Sequence, residues 1–219
     1  MSAAVKDTLV LRPGMAGALL TPREFDRADW DGEGEIYELI NGVLVVSPPP
    51  LEQERDPNEE LGYWLRLYQE QHPKGSALDR TLPEQMIRTR RSRRRADRAI
   101  WAGLGRRPRH NEVPTIAAEF VSKDRRDWTR DYGVKKREYK AIGIKEYWIF
   151  DRFRRTMTVF VNESSREAEI IVRENEVYRT PLLPGFELPV GRLLAAADYW
   201  DEPEPKRSGK NGRQRPKKK

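Results

Sequence analysis

Cysteine is absent from this chain of 219 residues, and histidine occurs only twice, as His72 and His110. Without cysteine, neither a disulfide bond nor a thiolate metal site can form. Two histidines are too few for a histidine-rich metal centre. A metal ion bound by this protein must therefore rest mainly on carboxylates, which suit hard ions such as Mg²⁺ or Mn²⁺.

The sequence also has no long apolar run. No segment approaches the roughly 20 apolar residues that a membrane helix needs, and no charged segment followed by an apolar one marks a leader. We therefore expect a cytoplasmic protein with no membrane partner. A chain of this length fits one domain with a substantial hydrophobic core.

Basic residues are concentrated in two short blocks, residues 87–95 and residues 206–219. The whole chain has a formal net charge of +7, and the second block holds eight Lys or Arg and no acid, which leaves −1 for the rest. This composition predicts a basic disordered tail over 201–219, which would attract polyanions with little selectivity. The remaining chain is predicted to form an N-terminal extension over 1–19 and a single domain over 20–200.

Turn and capping signals divide the domain into helices and strands. Thr21, Pro22 and Glu24 form a capping-box pattern, and Asn41-Gly42 is typical of a two-residue hairpin. Helices are predicted over 58–71 and 126–142 and near the end of 182–198; strands are predicted at 76–80, 84–90, 97–102, 115–124 and 145–151, followed by a three-stranded meander. This mixture predicts an α/β (α+β) domain with antiparallel hairpins.

Three acidic residues interrupt apolar strand segments. Glu119 lies in "TIAAEFVSKD", where alternation places it on the same face as Ala117 and Val121. Asp97 lies in "RADRAIW" and Glu38 in "YELI". An isolated buried carboxylate is costly unless it is paired or binds a metal. Each acid alone is compatible with a solvated strand face, whereas convergence of the three would form an oxygen cage for a divalent ion.

A second pattern lies on the helix predicted over 126–142. Asp131, Lys135 and Tyr139 recur every four residues, so they share one helix face. One interpretation is a surface Asp–Lys pair with a tyrosine packed below it. The other is a lysine whose long stem brings its ammonium group to an acidic cluster.

The chain resembles the Uma2 family of endonucleases in four segments that occur in the same order: "YELINGVLVVSPPP", "RADRAIW", "AAEFVS" and "DYGVKKREYKAIGIKEYWIFD". The resemblance extends over roughly residues 20–195. It implies the restriction-endonuclease-like, PD-(D/E)xK nuclease fold, which has a mixed β-sheet core flanked by helices. It also implies hydrolysis of phosphodiester bonds in DNA.

The resemblance assigns roles to individual acids. Asp97 stands at the aspartate of the "PD" element, with Ala96 in place of the proline, and Glu119 stands at the acid of the "(D/E)x" element. Both are expected to bind Mg²⁺ or Mn²⁺. Glu38, in the "YELI" element, would complete the acidic cluster directly or through a water molecule.

The lysine of the motif is displaced in this chain. Its expected position is occupied by Val121. By resemblance the role passes to a lysine on the following helix, which is Lys135, with Lys136 as the alternative. This lysine would orient or deprotonate the attacking water, or stabilise the negative charge that develops on the phosphate.

An acidic site repels phosphate, so the substrate needs basic residues close by. Arg91, Arg93, Arg94 and Arg95 directly precede Asp97 and are predicted to contact DNA. A homodimer is compatible with the resemblance to nucleases that cut two strands. Two other functions stay open: a catalytically inactive nucleic-acid-binding or regulatory protein on the same fold, and a purely structural or protein-interaction domain.

Overall fold

The computed structural model describes residues 8–31, 34–122, 130–162 and 167–201. The strands are β1 (Val10–Leu11), β2 (Asp29–Trp30), β3 (Ile36–Ile40), β4 (Val43–Ser47), β5 (Leu78–Arg88), β6 (Arg93–Ala102), β7 (Ile116–Phe120), β8 (Glu146–Asp151), β9 (Thr156–Asn162), β10 (Glu167–Arg173), β11 (Val177–Tyr178) and β12 (Leu188–Pro189). The helices are α1 (Pro22–Phe25), α2 (Glu52–Gln71), α3 (Lys136–Ala141) and α4 (Val190–Asp198). A π-helical turn (Arg130–Lys135) leads directly into α3.

One mixed sheet of eight strands forms the centre of the fold. Its strand order is β10-β9-β8-β7-β6-β3-β4, and β5 pairs with the other edge of β6. The β7–β8 pair is parallel, and the other pairs of this sheet are antiparallel. A mixed sheet flanked by helices confirms the predicted α/β (α+β) fold class.

The two faces of the sheet support separate hydrophobic clusters. One cluster joins α2 and α4 to the sheet through residues that include Leu61, Leu65, Ala118, Phe120, Trp148, Leu193 and Leu194. The other joins α3 to the opposite face through residues that include Ala117, Val121, Tyr139, Tyr147, Ile149 and Phe160. The predicted alternation along β7 is therefore confirmed, since neighbouring residues of that strand enter different clusters.

Short-range signals in the sequence are confirmed by the local geometry. Thr21 and Glu24 form the predicted capping box at the start of α1. Asn41 and Gly42 have φ angles of 50° and 87°, and Ile40 pairs with Val43 across them. Both φ values lie in the left-handed region that a two-residue turn of this kind requires.

Several predicted boundaries were wrong. The strands predicted at 76–80 and 84–90 are one continuous strand, β5, and β6 begins at Arg93 rather than at residue 97. Helix α2 begins at Glu52, six residues earlier than predicted, because the Glu54 side chain caps the Leu51 backbone N–H. The last predicted strand of the meander, β11, pairs with β12 instead of extending the main sheet.

The helix predicted over 126–142 is confirmed from residue 130 onward, and it ends before Gly143, whose φ is +91°. Its first residues, 126–129, lie outside the described residues, as does the basic tail from residue 202. None of the helices in the described ranges is long and apolar enough to cross a membrane.

Candidate active site

Strand β6 creates an opening in the sheet. One side of β6 pairs with β5 along almost its whole length. On its other side, β6 pairs with β3 at Arg93 and with β7 from Arg98 onward. Among the described strands, none pairs with this side of residues 94–97. We call this opening between β3 and β7 the fork, and the predicted acidic residues surround it.

Glu119 lies beside the fork near the end of β7, and it is only 2% exposed. The Lys135 Nζ atom lies 2.7 Å from Glu119 Oε2, and Lys135 is equally buried. The Tyr139 hydroxyl donates a hydrogen bond of 3.1 Å to Glu119 Oε1. One helical turn separates Lys135 from Tyr139, so a single face of the helix holds both oxygens of this carboxylate.

Burial, and after it the charge of Glu119, raises the pKa of Tyr139 well above its usual range. The hydroxyl therefore stays protonated and keeps donating to the carboxylate. The buried position of Lys135 excludes the surface-pair interpretation of this residue. The side chain of Asp131 lies outside the described residues.

Asp97 lies next to Glu119 across the fork. The regular pairing of β6 and β7 ends at Arg98 and Ala118, so the next cross-strand neighbours are Asp97 and Glu119. The backbone N–H of Phe120 donates to Asp97 Oδ2 at 2.6 Å, which replaces the missing bond of the ladder. Asp97 thus closes the end of the β6–β7 pair with its own side chain.

The surroundings of Asp97 oppose its ionisation. Burial, followed by the negative charge of Glu119, raises the pKa of Asp97 well above its usual range, although Lys135 acts in the opposite direction. The two carboxyl groups belong to neighbouring positions on β6 and β7, so each negative charge opposes the ionisation of the other. The structure therefore places Asp97, Glu119 and Lys135 close together, and their roles in metal binding and catalysis stay predictions.

Glu38 lies on the other side of the fork. It is buried in β3, and its Oε1 accepts a 2.9 Å hydrogen bond from the backbone N–H of Arg95. The carbonyl of Arg95 in turn lies 3.3 Å from Lys135 Nζ. Both backbone groups of Arg95 that face the fork are therefore bonded to candidate site residues.

Asn58 of helix α2 bonds to the backbone of Asp97 and to the neighbouring Arg98. The side-chain amide of Asn58 donates to the Asp97 carbonyl at 2.8 Å, and its oxygen accepts from Arg98 Nε at 2.7 Å. Arg98 is buried and makes a further 2.7 Å bond to the Asn58 carbonyl. Burial lowers the pKa of Arg98 to about 10. The sequence analysis missed this support, since no local pattern connects Asn58 with Asp97.

Glu84 is a second residue that sequence reasoning missed. Its φ of 51° is unusual for a residue with a side chain. It lies in β5 opposite Asp97, between the pairs Pro83–Arg98 and Gln85–Ala96. Its carboxylate accepts a 2.8 Å bond from Arg95 Nε. Backbone strain of this kind, next to a candidate metal ligand, is typical of functional sites.

The two candidate lysines have different surroundings. Lys135 is paired with Glu119, whereas the Lys136 ammonium lies 3.9 Å from the centre of the Phe160 ring. Val121 is buried among apolar residues on the Glu119 side of β7. Between the two lysines, only Lys135 reaches the carboxylates around the fork.

The four candidate arginines are not equivalent. Arg91 is exposed, and Arg95 is half-buried beside Glu84. Arg93 is buried in an ion pair with Asp26. Arg94 is fully buried, and its Nε atom donates to Glu138. The prediction that Arg93 and Arg94 contact DNA is therefore not supported, because the protein encloses both guanidinium groups.

The donor set around the fork suits a hard cation. In the described ranges, no three acid or histidine side chains form a preassembled metal cage. Glu38, Asp97 and Glu119 nevertheless supply carboxylate oxygens, the preferred ligands of Mg²⁺. Burial and then the charge of Glu119 raise the pKa of Asp97, and a nearby cation would oppose this shift by favouring the ionised carboxylate. In donor type and charge, these residues fit a divalent ion.

Comparisons with known proteins show which family and fold the chain resembles. The family model Uma2, described as "Putative restriction endonuclease", matches residues 22–191. A solved structure from Anabaena variabilis, described as "a putative nuclease belonging to DUF820", is similar in fold, with a TM-score of 0.63 and 12% sequence identity. That likeness covers 81% of this chain and 99% of the other. No curated protein matches the chain.

The family match extends from the start of α1 into α4 and includes Glu38, Asp97, Glu119 and Lys135. It covers more than three quarters of the chain. The structural likeness, at this low identity, shows a shared fold. The chain therefore belongs to the Uma2 family.

Proposed function

We propose that this protein is a metal-dependent endonuclease that hydrolyses DNA phosphodiester bonds at the fork. The family description supports a nuclease in general. The observation that carries the proposal is the buried Lys135–Glu119 ion pair beside Asp97. A buried ion pair is costly to desolvate and contributes little net stability. A catalytic role explains why such a pair stands next to another acid.

Asp97 and Glu119 would hold Mg²⁺ or Mn²⁺, and Glu38 would join them directly or through a water molecule. A bound divalent ion lowers the pKa of water and offsets charge on phosphoryl oxygens. The carboxylates also fix where a phosphodiester can approach, because they occupy the edge of the fork between β3 and β7.

Lys135 is the residue that would act on the attacking water. Its ammonium is held by Glu119 and by the Arg95 carbonyl, so its position is fixed before a substrate arrives. An ammonium at this place can orient the water or stabilise negative charge on the phosphate. Tyr139 keeps the Glu119 carboxylate in its orientation through the bond to Oε1.

Arg91 and Arg95 remain the proposed contacts to DNA from the arginine block, because both have solvent access. Contacts of this type supply affinity that falls with salt and carry no sequence information. A homodimer is proposed from the family likeness alone, because each copy could then cut one strand.

One observation favours a second function, nucleic-acid binding without cleavage on the same fold. Both carboxylate oxygens of Glu119 are already bonded, to Lys135 and to Tyr139. If these bonds persist in the presence of Mg²⁺, Glu119 cannot serve as a strong ligand. The protein would then bind DNA at the fork and leave it intact.

A plasmid nicking assay with Mg²⁺ or Mn²⁺ tests the proposal. Wild type is compared with Asp97→Asn and Glu119→Gln, and Glu187→Gln serves as the matched control at an exposed ion pair with Arg179. We expect nicking by wild type and by the control, and its loss in both site variants. Equal nicking by all four proteins would contradict the proposal, and DNA binding without nicking by wild type would favour the second function.

A further inference from the structure

A shallow groove lies on the α3 face of the sheet, beyond the fork. Its volume is about 360 Å³, and we call it the outer groove. The lining residues used below are Tyr132, Lys136, Arg154, Thr158, Glu169 and Ile171. None of them belongs to the candidate active site.

The outer groove is in register with the candidate catalytic acid. Glu119 pairs with Ile149 across β7 and β8, and Ile149 pairs with Thr158 across β8 and β9. Thr158 therefore lies two strands away from Glu119 in the same row. Neighbouring strands are about 4.8 Å apart, so the groove begins roughly 10 Å from Glu119.

The outer groove also lies on the same face of the sheet as Glu119. Ile149 belongs to the hydrophobic cluster under α3, and so does Phe160, two residues after Thr158 on the same strand. Alternation along β9 gives Thr158 and Phe160 the same direction. A polymer that runs across this face can therefore occupy the fork and the groove together.

Two cationic residues border the groove. Lys136 follows Lys135 in the chain, and its ammonium lies over the Phe160 ring. Arg154 forms an ion pair of 3.7 Å with the buried Asp151, and unlike Arg93 and Arg94 its side chain is 57% exposed. Its guanidinium lies 5.8 Å from the centre of the Tyr132 ring. Aromatic rings beneath both cations limit where the charged groups can move. These positions suit contacts to an extended polyanion.

We propose that the outer groove binds the phosphodiester backbone of the nucleic acid on one side of the bond that is cut at the fork. This inference rests on the proposed function for the cut and adds the path of the strand. A separation of roughly 10 Å corresponds to about three base-pair steps along the axis of a duplex, where the rise is about 3.4 Å per step. Lys136 and Arg154 contact phosphates at that distance, and the exposed Ile171 borders the sugar.

The outer groove adds positive charge to that of Arg91 and Arg95. The charges of Arg93 and Arg94 are offset by their ion pairs with Asp26 and Glu138. A nuclease whose site is acidic needs cations at its edge. Lys136 and Arg154 provide two beside the helix that carries Lys135.

Salt-dependent DNA binding in EDTA tests the inference without any cleavage. Fluorescence anisotropy with a short labelled duplex compares wild type with Lys136→Gln/Arg154→Gln. Each phosphate that the protein neutralises adds about 0.9 to the slope of log K against log salt, so we expect the double variant to have a slope smaller by about 1.8. The matched control is Arg179→Gln/Arg192→Gln, which removes the same charge outside the groove and keeps the wild-type slope.

A second variant controls for misfolding, because it is expected to bind DNA more tightly than wild type. Glu169 is the acid of the groove and is exposed. Glu169→Gln removes repulsion from phosphate and is expected to tighten DNA binding severalfold at low salt. A misfolded protein would not bind more tightly, so this increase supports the groove itself.

Polyglutamate serves as a second probe in the same assay, because an acidic peptide could also occupy a cationic groove. Three outcomes would overturn the inference: an unchanged slope in the groove variant, an equal reduction in the control, or loss of polyglutamate binding with DNA binding intact. Failure of the proposed function is distinguishable from these outcomes. If the wild type does not nick plasmid but Lys136→Gln/Arg154→Gln still lowers DNA affinity, the nuclease proposal is rejected and the inference about the groove stands.

Discussion

The Nζ atom of Lys135 lies 2.7 Å from Oε2 of Glu119, and the two side chains are buried against each other. This ion pair joins the helix after β7 to the strand that carries the acid. Without its partner, each buried charge would lose this direct contact with an opposite charge. The pair is therefore both a structural constraint on α3 and the candidate catalytic unit.

Lys135→Met should destabilise the protein strongly, because it removes the cation that is bonded to the buried Glu119 carboxylate. Breaking a buried ion pair in this way costs about 3–5 kcal/mol of unfolding free energy. The double variant Lys135→Met/Glu119→Gln should recover much of that loss. Urea unfolding measures both values. Lys136→Met is the matched control, and it removes the cation over the Phe160 ring. An equal loss of stability in both single variants would contradict this account.

Asp97→Asn should raise the melting temperature of the metal-free protein at neutral pH. In the folded protein, burial and then the charge of Glu119 raise the pKa of Asp97 above its unfolded value. At high pH, ionised Asp97 therefore lowers the free energy of unfolding. This effect disappears as the pH falls and Asp97 takes up a proton. The amide oxygen of Asn can still accept from Phe120. Thermal melts across a pH series in EDTA check this difference.

In excess Mg²⁺, wild type should have a higher melting temperature than Asp97→Asn. A ligand that binds only the folded state raises the free energy of unfolding. Wild type should gain stability with Mg²⁺, while Asp97→Asn should gain less or nothing. A variant that is less stable than wild type at every pH in EDTA would show that Asp97 carries no electrostatic cost.

Gly62→Ala tests the support behind Asp97. A Cβ atom at Gly62 would lie 2.7–2.9 Å from the guanidinium of Arg98, which cannot move without losing its bonds to Asn58. Overpacking of this kind costs about 1–3 kcal/mol. The displacement of Arg98 should also weaken nicking, because Asn58 holds both Arg98 and the Asp97 carbonyl.

Gly14→Ala is the matched control for this substitution, since nothing lies within 4 Å of its added Cβ atom. It should leave unfolding and nicking nearly unchanged. Since Gly62 is inside helix α2, alanine alone would favour the helix by up to about 1 kcal/mol. A Gly62→Ala protein that is more stable than wild type would therefore show that Arg98 moves freely.

The sequence predicted the candidate site where its pattern is local. Alternation along one strand placed Glu119 with Ala117, and the four-residue period placed Lys135 with Tyr139. Those periods depend only on backbone geometry. The assignment of Asp97 and Glu38 needed the family likeness, because residues on different strands are brought together by pairing that composition does not encode.

The features that the sequence did not predict depend on contacts between residues far apart in the chain. Arg93 pairs with an acid 67 residues away, and Arg94 with one 44 residues away. A run of arginines therefore looked like a DNA surface, although two of them are enclosed. Glu84 has a left-handed backbone in the middle of β5, where its neighbours predicted a break instead of a continuous strand.

Anomalous scattering from a crystal soaked with Mn²⁺ tests the central claim most directly, namely that Asp97 and Glu119 share one cation beside Lys135. We expect a peak within coordination distance of an oxygen of each carboxylate. The peak should vanish in Asp97→Asn crystals. A fully soaked wild-type crystal with no peak at the fork, or with a peak that does not contact Glu119, would contradict the account.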